Sequence, residues 1–471
     1  MTFKTSMRQL SSTNMSYKTE SQNCMTFLKY IALLSVLTST AFANVSVYFN
    51  HNEKVTYTDP YRGISRQGDN LEEVILAEIR KAKKSIFLAV QELRLPLVAK
   101  ALIQKHKEGV DVRIVLEDSY NFNVLQQRDV AEGEYEGSRL SELFAFVDLN
   151  RNGIIEKHEL ETRDAMFMLQ QSKVPLIDDT SNGSKGSGLM HHKFMVVDGK
   201  TTIVSTANFT LSCVHGDYLA PATRGNDNSM VVVGSVEFAK VFLEEFSQLW
   251  GNGKRGNFGQ GKTYRGPQTV TVRGTKITIQ FSPTSQRYNW EESVNGLIAS
   301  HLSKANRSIQ AALFVFSDQK LSEVMQSRQN AGAQVGVMME PKFAYRDYSE
   351  LLTLMGVGLL NGKCAYKPGS SPWKVPAKEV GVSNRPNGDV LHHKFAVVDK
   401  KSVIVGSQNW SSAANYINDE TLIVIQNEKV AEQYAQEYER IKKLSTLGTP
   451  KWLLDAIKKQ EVFCRDNGRY Y

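Results

Sequence analysis

The sequence predicts an α/β protein of two similar lobes, each a β-sheet flanked by helices, related by a pseudo-twofold axis. The phrase HHKFMVVDGK at 191–200 returns as HHKFAVVDKK at 392–401. Residues 84–117 also align without a gap to residues 307–340. A chain of 471 residues with 41% hydrophobic and 23% charged content is globular material and too long for one core. We therefore expect two lobes that arose from one repeated unit.

The N-terminal residues 1–43 are predicted to be a leader with a secretory signal at 25–43. That segment has a lysine, an apolar run and a small-x-small ending at Ala41 and Ala43. A membrane anchor is the alternative, but it needs about 18–20 apolar residues, and this run is shorter. We expect an exported protein, either periplasmic or secreted.

Each lobe is predicted to contain a βαβ unit, because short β-rich apolar runs flank a segment with helical spacing. A glycine follows that helix in both copies, at Gly109 and Gly332. Between the copies, residues 251–268 are rich in glycine and basic side chains without apolar periodicity, which predicts a linker or a mobile loop. The first lobe then spans 44–250, the second spans 269–448, and a C-terminal tail follows at 449–471.

Cysteine usage indicates few covalent constraints. Cys24 lies in the leader, so Cys213, Cys364 and Cys464 remain and allow one disulfide at most. No CxxC metal pattern occurs. We expect buried thiols.

The repeated phrase places equivalent histidine and lysine side chains in two strands. Because side chains alternate along a strand, His191 and Lys193 share one face while His192 points to the other. The second copy repeats this arrangement, and an asparagine follows each copy in a turn; these residues are His392, Lys394, His393, Asn208 and Asn409. Two facing copies would surround one point with two imidazoles, two ammonium groups and two amides.

Such a set suits a phosphodiester. Displacing an alcohol from phosphorus requires a nucleophile on one side and a proton donor on the other, roughly in line. Paired imidazoles can exchange these roles, and lysine and asparagine can stabilise the non-bridging oxygens. The alternatives are core strands with satisfied histidines, and a metal site, which lysine and scattered carboxylates disfavour.

The second copy fits the pattern H-x-K-x4-D-x6-G-S-x-N, and the first follows it except at the Gly-Ser pair; this pattern resembles the signature of the phospholipase D superfamily, and the resemblance extends over about 45 to 445. The resemblance implies a phosphohistidine intermediate and catalytic roles for His191, Lys193, Asp198, Asn208, His392, Lys394, Asp399, Ser407, Asn409 and Glu420. By analogy with relatives, His191 attacks and His392 protonates the leaving group.

The first copy departs from this pattern. Ser205 and Thr206 replace the usual Gly-Ser, and Asn228 stands where the second copy has Glu420. A carboxylate behind an imidazole raises its basicity, so this asymmetry is also an argument for the reverse assignment of the histidines.

An insertion in the first lobe carries a second motif. The separation between the copies falls from 223 residues in the βαβ units to 201 at the repeated phrases, so a net 22 residues are added near 138–170. Within it, residues 148–160 fit an EF-hand loop, with predicted calcium ligands Asp148, Asn150, Asn152, Ile154 through its carbonyl, Glu156 and Glu159. A polar turn of similar composition is the alternative. The loop has no sequence partner, so we expect structural Ca2+ rather than a sensor, and we expect no cofactor for catalysis.

These patterns predict an exported phosphodiesterase acting on phospholipid headgroups, that is, phospholipase D activity. The net charge of +8 favours an anionic partner without choosing between nucleic acid and a phospholipid surface. No aromatic nucleic-acid-binding stretch stands out, which favours phospholipid. A DNA or RNA endonuclease using the same site and a catalytically weak phosphate-binding module are the alternatives. We expect a monomer with its active site between the lobes and contact with a membrane surface.

Overall fold

The first half of the chain folds around a seven-stranded sheet and a separate two-stranded ribbon. The computed structural model describes residues 45–128, 134–180 and 188–466, so the predicted signal at 25–43 lies outside the described residues. The strands are Val45–Phe49 (β1), Thr56–Thr58 (β2), Ser65–Gln67 (β3), Ser85–Val90 (β4), Asp111–Leu116 (β5), Leu176–Asp178 (β6), Lys193–Val197 (β7), Thr201–Ser205 (β8) and Ser229–Gly234 (β9). The ribbon is β2-β3, and the sheet order is β1-β9-β8-β7-β4-β5-β6.

The second half repeats this sheet and extends both edges. Its strands are Gln268–Val272 (β10), Thr275–Ser282 (β11), Ser308–Leu313 (β12), Gln334–Met339 (β13), Glu379–Ser383 (β14), Lys394–Val398 (β15), Ser402–Gly406 (β16), Glu420–Gln426 (β17) and Ser445–Leu447 (β18). The order is β10-β11-β17-β16-β15-β12-β13-β14-β18, whose middle seven positions match the first sheet. The predicted fold of two similar α/β lobes is confirmed.

Helices flank both sheets. In the first half they are Leu71–Lys81 (α1), Pro96–Lys107 (α2), Val124–Arg128 (α3), Glu134–Val147 (α4), Lys157–Arg163 (α5), Ala165–Gln171 (α6), Leu211–Val214 (α7) and Val236–Trp250 (α8). In the second half they are Val294–Leu302 (α9), Gln319–Asn330 (α10), Pro341–Ala344 (α11), Glu350–Leu354 (α12), Ser412–Tyr416 (α13), Glu428–Lys443 (α14) and Lys451–Asp466 (α15). None of the helices within the described ranges is long and apolar enough to cross a membrane.

Helices α8 and α14 lie in a core that the two sheets share. Phe194 of β7 meets Phe242 of α8 edge to face with ring centroids 5.1 Å apart. In the second lobe, Phe395 of β15 meets Tyr434 of α14 at 5.0 Å. All four side chains are buried in one cluster, and burying an aromatic ring of this kind stabilises the fold by about 1.5–3 kcal/mol. The two lobes therefore share one core and belong to one compact unit.

The predicted linker at 251–268 joins the last helix of the first lobe to the first strand of the second, and it packs against both lobes. Phe258 is buried in the shared core, and the buried Lys262 ammonium forms ion pairs with Glu245 of the first lobe and Asp419 of the second. The composition of this segment alone suggested mobility, because its glycines and basic residues show no apolar pattern. The carboxylates that pair with Lys262 lie in other parts of the chain, so local composition does not reveal them.

The predicted C-terminal tail at 449–471 contains helix α15, at residues 451–466. The expectation of buried thiols is wrong for two of the three remaining cysteines. Cys464 on that helix forms a disulfide with Cys364, which lies 100 residues earlier, while Cys213 remains a buried free thiol. The disulfide forms because α15 packs back onto the loop before β14, a contact that cysteine spacing cannot predict.

Candidate active site

The two repeated phrases meet at the junction of the lobes, where each is joined by backbone hydrogen bonds to the other lobe. The N–H of His191 donates to the carbonyl of Asp419 at 2.9 Å, and the N–H of Asp419 donates to Leu189 at 2.8 Å. On the opposite side, the N–H of Asp227 donates to the carbonyl of Val390 at 3.0 Å. Each histidine segment is thereby held next to the start of a strand from the partner lobe.

His191 of the first lobe is oriented by Glu420 of the second. Its Nδ1 lies 2.6 Å from Oε2 of Glu420, and the carboxylate is fully buried. A carboxylate accepts, so Nδ1 carries the proton and donates. This leaves the Nε2 lone pair of His191 available for attack.

His392 has an amide as its partner instead of a carboxylate. Its Nδ1 lies 3.0 Å from Oδ1 of Asn228. The amide nitrogen of Asn228 donates to the carbonyls of Cys213 and Asn226 at 3.1 and 3.0 Å, which fixes its oxygen towards the histidine. Nδ1 of His392 is therefore the donor, and its Nε2 is also left for a reacting group.

The altered turn of the first copy keeps its hydroxyl function. Thr206 Oγ1 donates to Oδ1 of Asn228 at 2.8 Å and accepts from the backbone N–H of Ser229 at 2.9 Å. Ser407 accepts equivalently from the N–H of Thr421 at 2.9 Å, and its hydroxyl also bonds to Glu420. The change from serine to threonine therefore does not disable the first copy.

Two buried lysines make the site strongly electropositive. Nζ of Lys193 donates to the carbonyl of His191 at 2.8 Å, and Nζ of Lys394 donates to the carbonyl of His392 at 2.7 Å. Burial lowers the pKa of Lys193 to about 8, and burial together with Lys193 lowers the pKa of Lys394. Two ammonium groups in one buried site favour a bound anion, which would offset their repulsion.

The histidines share this environment. Burial, followed by the charges of both lysines, lowers the pKa of His191 and of His392 well below the usual range. The charge of the lysine in the other copy thus contributes to lowering the pKa of each histidine, in agreement with the backbone hydrogen bonds that bring the two motifs to one junction. Burial raises the pKa of Glu420 to about 7. A neutral imidazole, the nucleophilic form, is therefore favoured at His191.

The turn asparagines lie half-buried beside the motifs. The side-chain oxygens of Asn208 and Asn409 are buried, and neither has a protein hydrogen-bond partner among the residues that the structure describes. Polar groups that are buried and unsatisfied cost stability, and they are common where a ligand supplies the missing partner. Both residues are thus suited to contact substrate.

The neighbouring histidines face the opposite side of their strands, as alternation predicts. Nε2 of His192 lies 3.1 Å from Glu245, and Nε2 of His393 lies 2.8 Å from Glu437. Both pairs are buried, and basic side chains complete them: Lys262 contacts Glu245, and Arg440 contacts Glu437 at 2.5 Å. These residues stabilise the lobe junction and do not reach the site.

Asp198 and Asp399 do not lie in the active site, in contrast to the role that the motif implied. Asp198 accepts backbone hydrogen bonds from residues 83 to 85 at 2.7–3.1 Å. Asp399 accepts the equivalent bonds from residues 306 to 308 at 2.8–3.0 Å. Both are half-exposed at the far end of β7 or β15. Their carboxylates fix the turn that begins β4 or β12, so they position the catalytic strand from a distance.

Two residues that contact the lysines were not predicted. Oε1 of Gln91 accepts from Nζ of Lys193 at 3.3 Å. At the equivalent position, the ring of Phe314 lies 4.8 Å from Nζ of Lys394 and packs against His392. Both residues come directly after the first strand of the βαβ repeat. The sequence could have predicted these two residues, because they occupy equivalent positions at the ends of the aligned strands.

The predicted calcium loop joins α4 to α5. Asp148 accepts backbone hydrogen bonds from Asn152 at 3.2 Å and Gly153 at 2.9 Å. The buried Glu159 accepts from Leu149 at 2.7 Å and from Glu156 at 3.0 Å. The remaining predicted ligands lie in the same loop: Asn150, Asn152, Ile154 and Glu156. All are oxygen donors of the kind that calcium prefers.

Two further acidic and histidine clusters are unsuited to a metal ion. His192, Glu245 and Asp419 form one, and Asp227, His393 and Glu437 form the other. In both, a lysine or arginine already neutralises the carboxylates. These clusters are ion-pair networks of the lobe junction.

Two facing histidine and lysine pairs at the junction of two repeated lobes define a protein of phospholipase D type. A family model described as cardiolipin synthase, PLD-like domain, matches residues 75–250 and 298–442. The chain therefore belongs to the phospholipase D superfamily.

Known proteins resemble parts or most of the chain. Mitochondrial cardiolipin hydrolase of Canis lupus familiaris is 29% identical over 153 residues, which cover 32% of this chain and 51% of that protein. Phospholipase D of Rickettsia bellii is 26% identical over 164 residues, covering 35% and 68%. The chain spans about half the length of the mammalian relatives that it matches. The crystal structure of phosphatidylserine synthase from Haemophilus influenzae has a TM-score of 0.56 at 12% identity, covering 90% of this chain and 94% of that one, and shows the same fold.

Proposed function

We propose that the protein is a phosphodiesterase that hydrolyses phospholipid headgroups through a phosphohistidine, with phospholipase D activity. The observation that carries this proposal is the pairing of His191 with Glu420 and of His392 with Asn228. Each pairing occupies Nδ1 and leaves Nε2 for a reacting group. The names of the relatives, cardiolipin hydrolase and phospholipase D, support phospholipid as the leading substrate.

In the proposed reaction, Nε2 of His191 attacks phosphorus and the bond to the departing alcohol oxygen breaks. His392 donates its proton to that oxygen. Water then gives a proton to His392 and attacks phosphorus, the P–N bond breaks, and neutral His191 and a phosphate monoester are released. The anionic phosphate offsets the two lysines that lower the pKa of His392. A bound substrate therefore favours the protonated acid that the first step needs.

The position of Glu420 supports the first assignment of the two histidines. Glu420 belongs to the second lobe, but its carboxylate contacts His191 of the first lobe. The carboxylate therefore supports the same histidine that the family analogy selects as nucleophile. His392, with its neutral amide partner, suits the acid and base role.

The proposal is tested by incubating purified protein with phosphatidylcholine and cardiolipin and, separately, with plasmid and single-stranded DNA. Headgroup release, absent in His191→Asn, is the expected result. Cleavage of DNA alone would support the endonuclease alternative. Binding of either substrate without any product would instead support a phosphate-binding module.

We further propose export and a structural calcium ion. Disulfides persist in oxidising compartments, so the bond between Cys364 and Cys464 supports export. The oxygen donors of the loop at 148–159, with its glycine in the left-handed conformation at φ 80°, support calcium binding. In extracellular fluid even a weak site of this type can be filled.

A further inference from the structure

Helix α15 presents an unusual number of exposed apolar side chains. Trp452 is 55% exposed, Leu454 40%, Val462 44% and Phe463 59%, all on one helix of 16 residues. Its opposite side is anchored by Leu453 and Cys464, which are buried. Charged side chains of both signs stand among the exposed apolar ones: Lys451, Lys458, Lys459 and Arg465, with Asp455, Glu461 and Asp466. The helix itself is therefore nearly balanced in charge, and its distinctive feature is the exposed apolar side, which is typical of a helix that lies on a membrane surface.

The loop tied to this helix adds positive charge. Residues 351–378 contain four lysines and no aspartate or glutamate. One of them, Lys367, is neutralised by Glu350 at 2.7 Å, whereas Lys363, Lys374 and Lys378 are exposed. The disulfide from Cys364 and a hydrogen bond from the N–H of Leu360 to Gln460 at 3.0 Å hold this loop against α15. The helix contributes the apolar side chains and the loop contributes the positive charge, and together they form one face, here called the α15 face.

A line of aromatic rings connects the α15 face with the active site. The ring of Phe314 lies 4.8 Å from that of His392, and Phe343 lies 4.8 Å from Phe314. Two residues further along, Tyr345 packs against Trp452 at 4.8 Å. Phe314, Phe343 and Tyr345 are only half-buried. These partly exposed rings therefore lie between the proposed acid and the exposed helix, and the backbone of residues 343–345 joins the two sets of ring contacts.

We propose that the α15 face docks on an anionic phospholipid bilayer and that a lipid reaches His392 along Phe343 and Phe314. This inference rests on the proposed phospholipid substrate. The lysines of residues 351–378 complement anionic headgroups, and the exposed apolar side chains of α15 enter the interface between headgroups and acyl chains. Aromatic rings such as Trp452 prefer that same depth. The docked orientation brings the active site to the lipid instead of requiring a lipid to leave the bilayer.

The test compares two double variants. In each, one exposed apolar residue and the lysine four residues later on the same helix are replaced. Leu454→Ser with Lys458→Glu alters the α15 face. Val236→Ser with Lys240→Glu makes the same changes on the exposed side of α8. Binding is measured by sedimentation with phosphatidylcholine vesicles, with and without phosphatidylglycerol, in the His191→Asn background so that lipid is not consumed. Circular dichroism melting checks that each variant is folded.

The parent protein should prefer the anionic vesicles, and the α15 pair should weaken that binding by about tenfold, since each charge near an anionic surface contributes measurably. The α8 pair should bind like the parent. With active protein, the α15 pair should slow hydrolysis of vesicle lipid but not of bis-(p-nitrophenyl) phosphate in solution. Trp452→Ala provides a second variant if the pair fails to fold.

Several results would overturn docking. These are no preference for anionic vesicles, equal binding by the α15 and α8 pairs, or a loss confined to single-stranded DNA binding. A dimer that the α15 pair converts to monomer would show that a second copy covers this face. If active protein releases headgroups while docking fails, only this inference is wrong. If it hydrolyses no phospholipid at all, the proposed function is wrong, whatever the vesicles show.

Discussion

Glu420 orients His191 across the lobe junction, with 2.6 Å between Oε2 of the carboxylate and Nδ1 of the imidazole. The two residues belong to different copies of the repeat. Asn228 and His392 form the reciprocal contact at 3.0 Å. Neither lobe therefore holds a complete histidine site by itself, and the repeat acts as a pair. Since one partner is a carboxylate and the other an amide, the two histidines are chemically distinct.

That difference predicts where the phosphoryl group is held. His392→Asn should still be phosphorylated by bis-(p-nitrophenyl) phosphate, because p-nitrophenolate leaves without an acid, but it should then stall for lack of a base. We expect one burst of p-nitrophenol per enzyme and a label on His191 by mass spectrometry after acid quench. His191→Asn should show neither, and His106→Asn, away from the site, should behave as wild type. A label found on His392 of wild type would reverse the assignment.

The sequence predicted the lobes, the facing histidines and lysines, and the direction of His192 and His393, because a repeat and strand alternation are local patterns. It could not predict which histidine Glu420 supports. That contact depends on how the lobes pack, since Glu420 lies far from His191 in the chain.

The errors share the same cause. Asp198 follows its lysine at the motif spacing, yet a strand carries its side chain away from His191 to the turn before β4. The buried pair of Lys262 with Asp419, and the disulfide from Cys364, are likewise long-range contacts. Composition near each residue gives no sign of its distant partner.

The pH dependence of turnover should report Glu420. Burial raises its pKa to about 7, so protonation below that pH removes the carboxylate that accepts from His191. We expect kcat/KM to fall as the pH decreases through about 7, and this limb to be absent from Glu420→Gln. The amide should lower the plateau by about tenfold, because hydrogen bonds to charged groups are stronger. Asn228→Asp, which places a carboxylate next to His392 and leaves Glu420 unchanged, should still show the fall of kcat/KM below about pH 7.

Stability should follow the opposite trend with pH. A carboxyl group whose pKa is raised on folding binds its proton more tightly in the folded state than in the unfolded state. The stabilisation of the fold that results is fully present below pH about 4.5, and it is lost as the pH rises through about 7. Glu420→Gln should therefore gain about 1–3 kcal/mol relative to wild type between pH 5 and pH 8. Urea unfolding at both values measures the difference. A constant difference across this range would contradict the raised pKa.

His192 and His393 should matter for stability more than for chemistry. Each faces away from the site and contacts a buried glutamate. Replacement by alanine should leave turnover of the folded enzyme within about twofold while destabilising it by about 1–3 kcal/mol, because the glutamate loses a buried partner. Turnover is measured well below the melting temperature of both variants. A loss as large as that of His191→Asn would show that these residues act in the reaction.

Calcium should act on stability and leave the chemistry largely unchanged. Asp148 and Glu159 lie in a loop that only the first lobe contains, whereas nucleophile, acid and cationic groups all come from the repeated motifs. An ion bound only to the folded state stabilises it by about 2.7 kcal/mol at a hundred times its dissociation constant. Wild type should therefore melt at a lower temperature with chelator but keep most of its turnover.

The variants Asp148→Ala and Glu159→Ala should melt at the same temperature with calcium and with chelator, because each removes a proposed ligand at an end of the loop. Lys157→Ala, an exposed change in the same segment, should respond to calcium as wild type does. All turnover is measured where every protein remains folded, so unfolding cannot mimic a catalytic effect. If chelation abolishes turnover in folded wild type and calcium restores it, the ion is needed for the reaction and its assignment as structural is wrong.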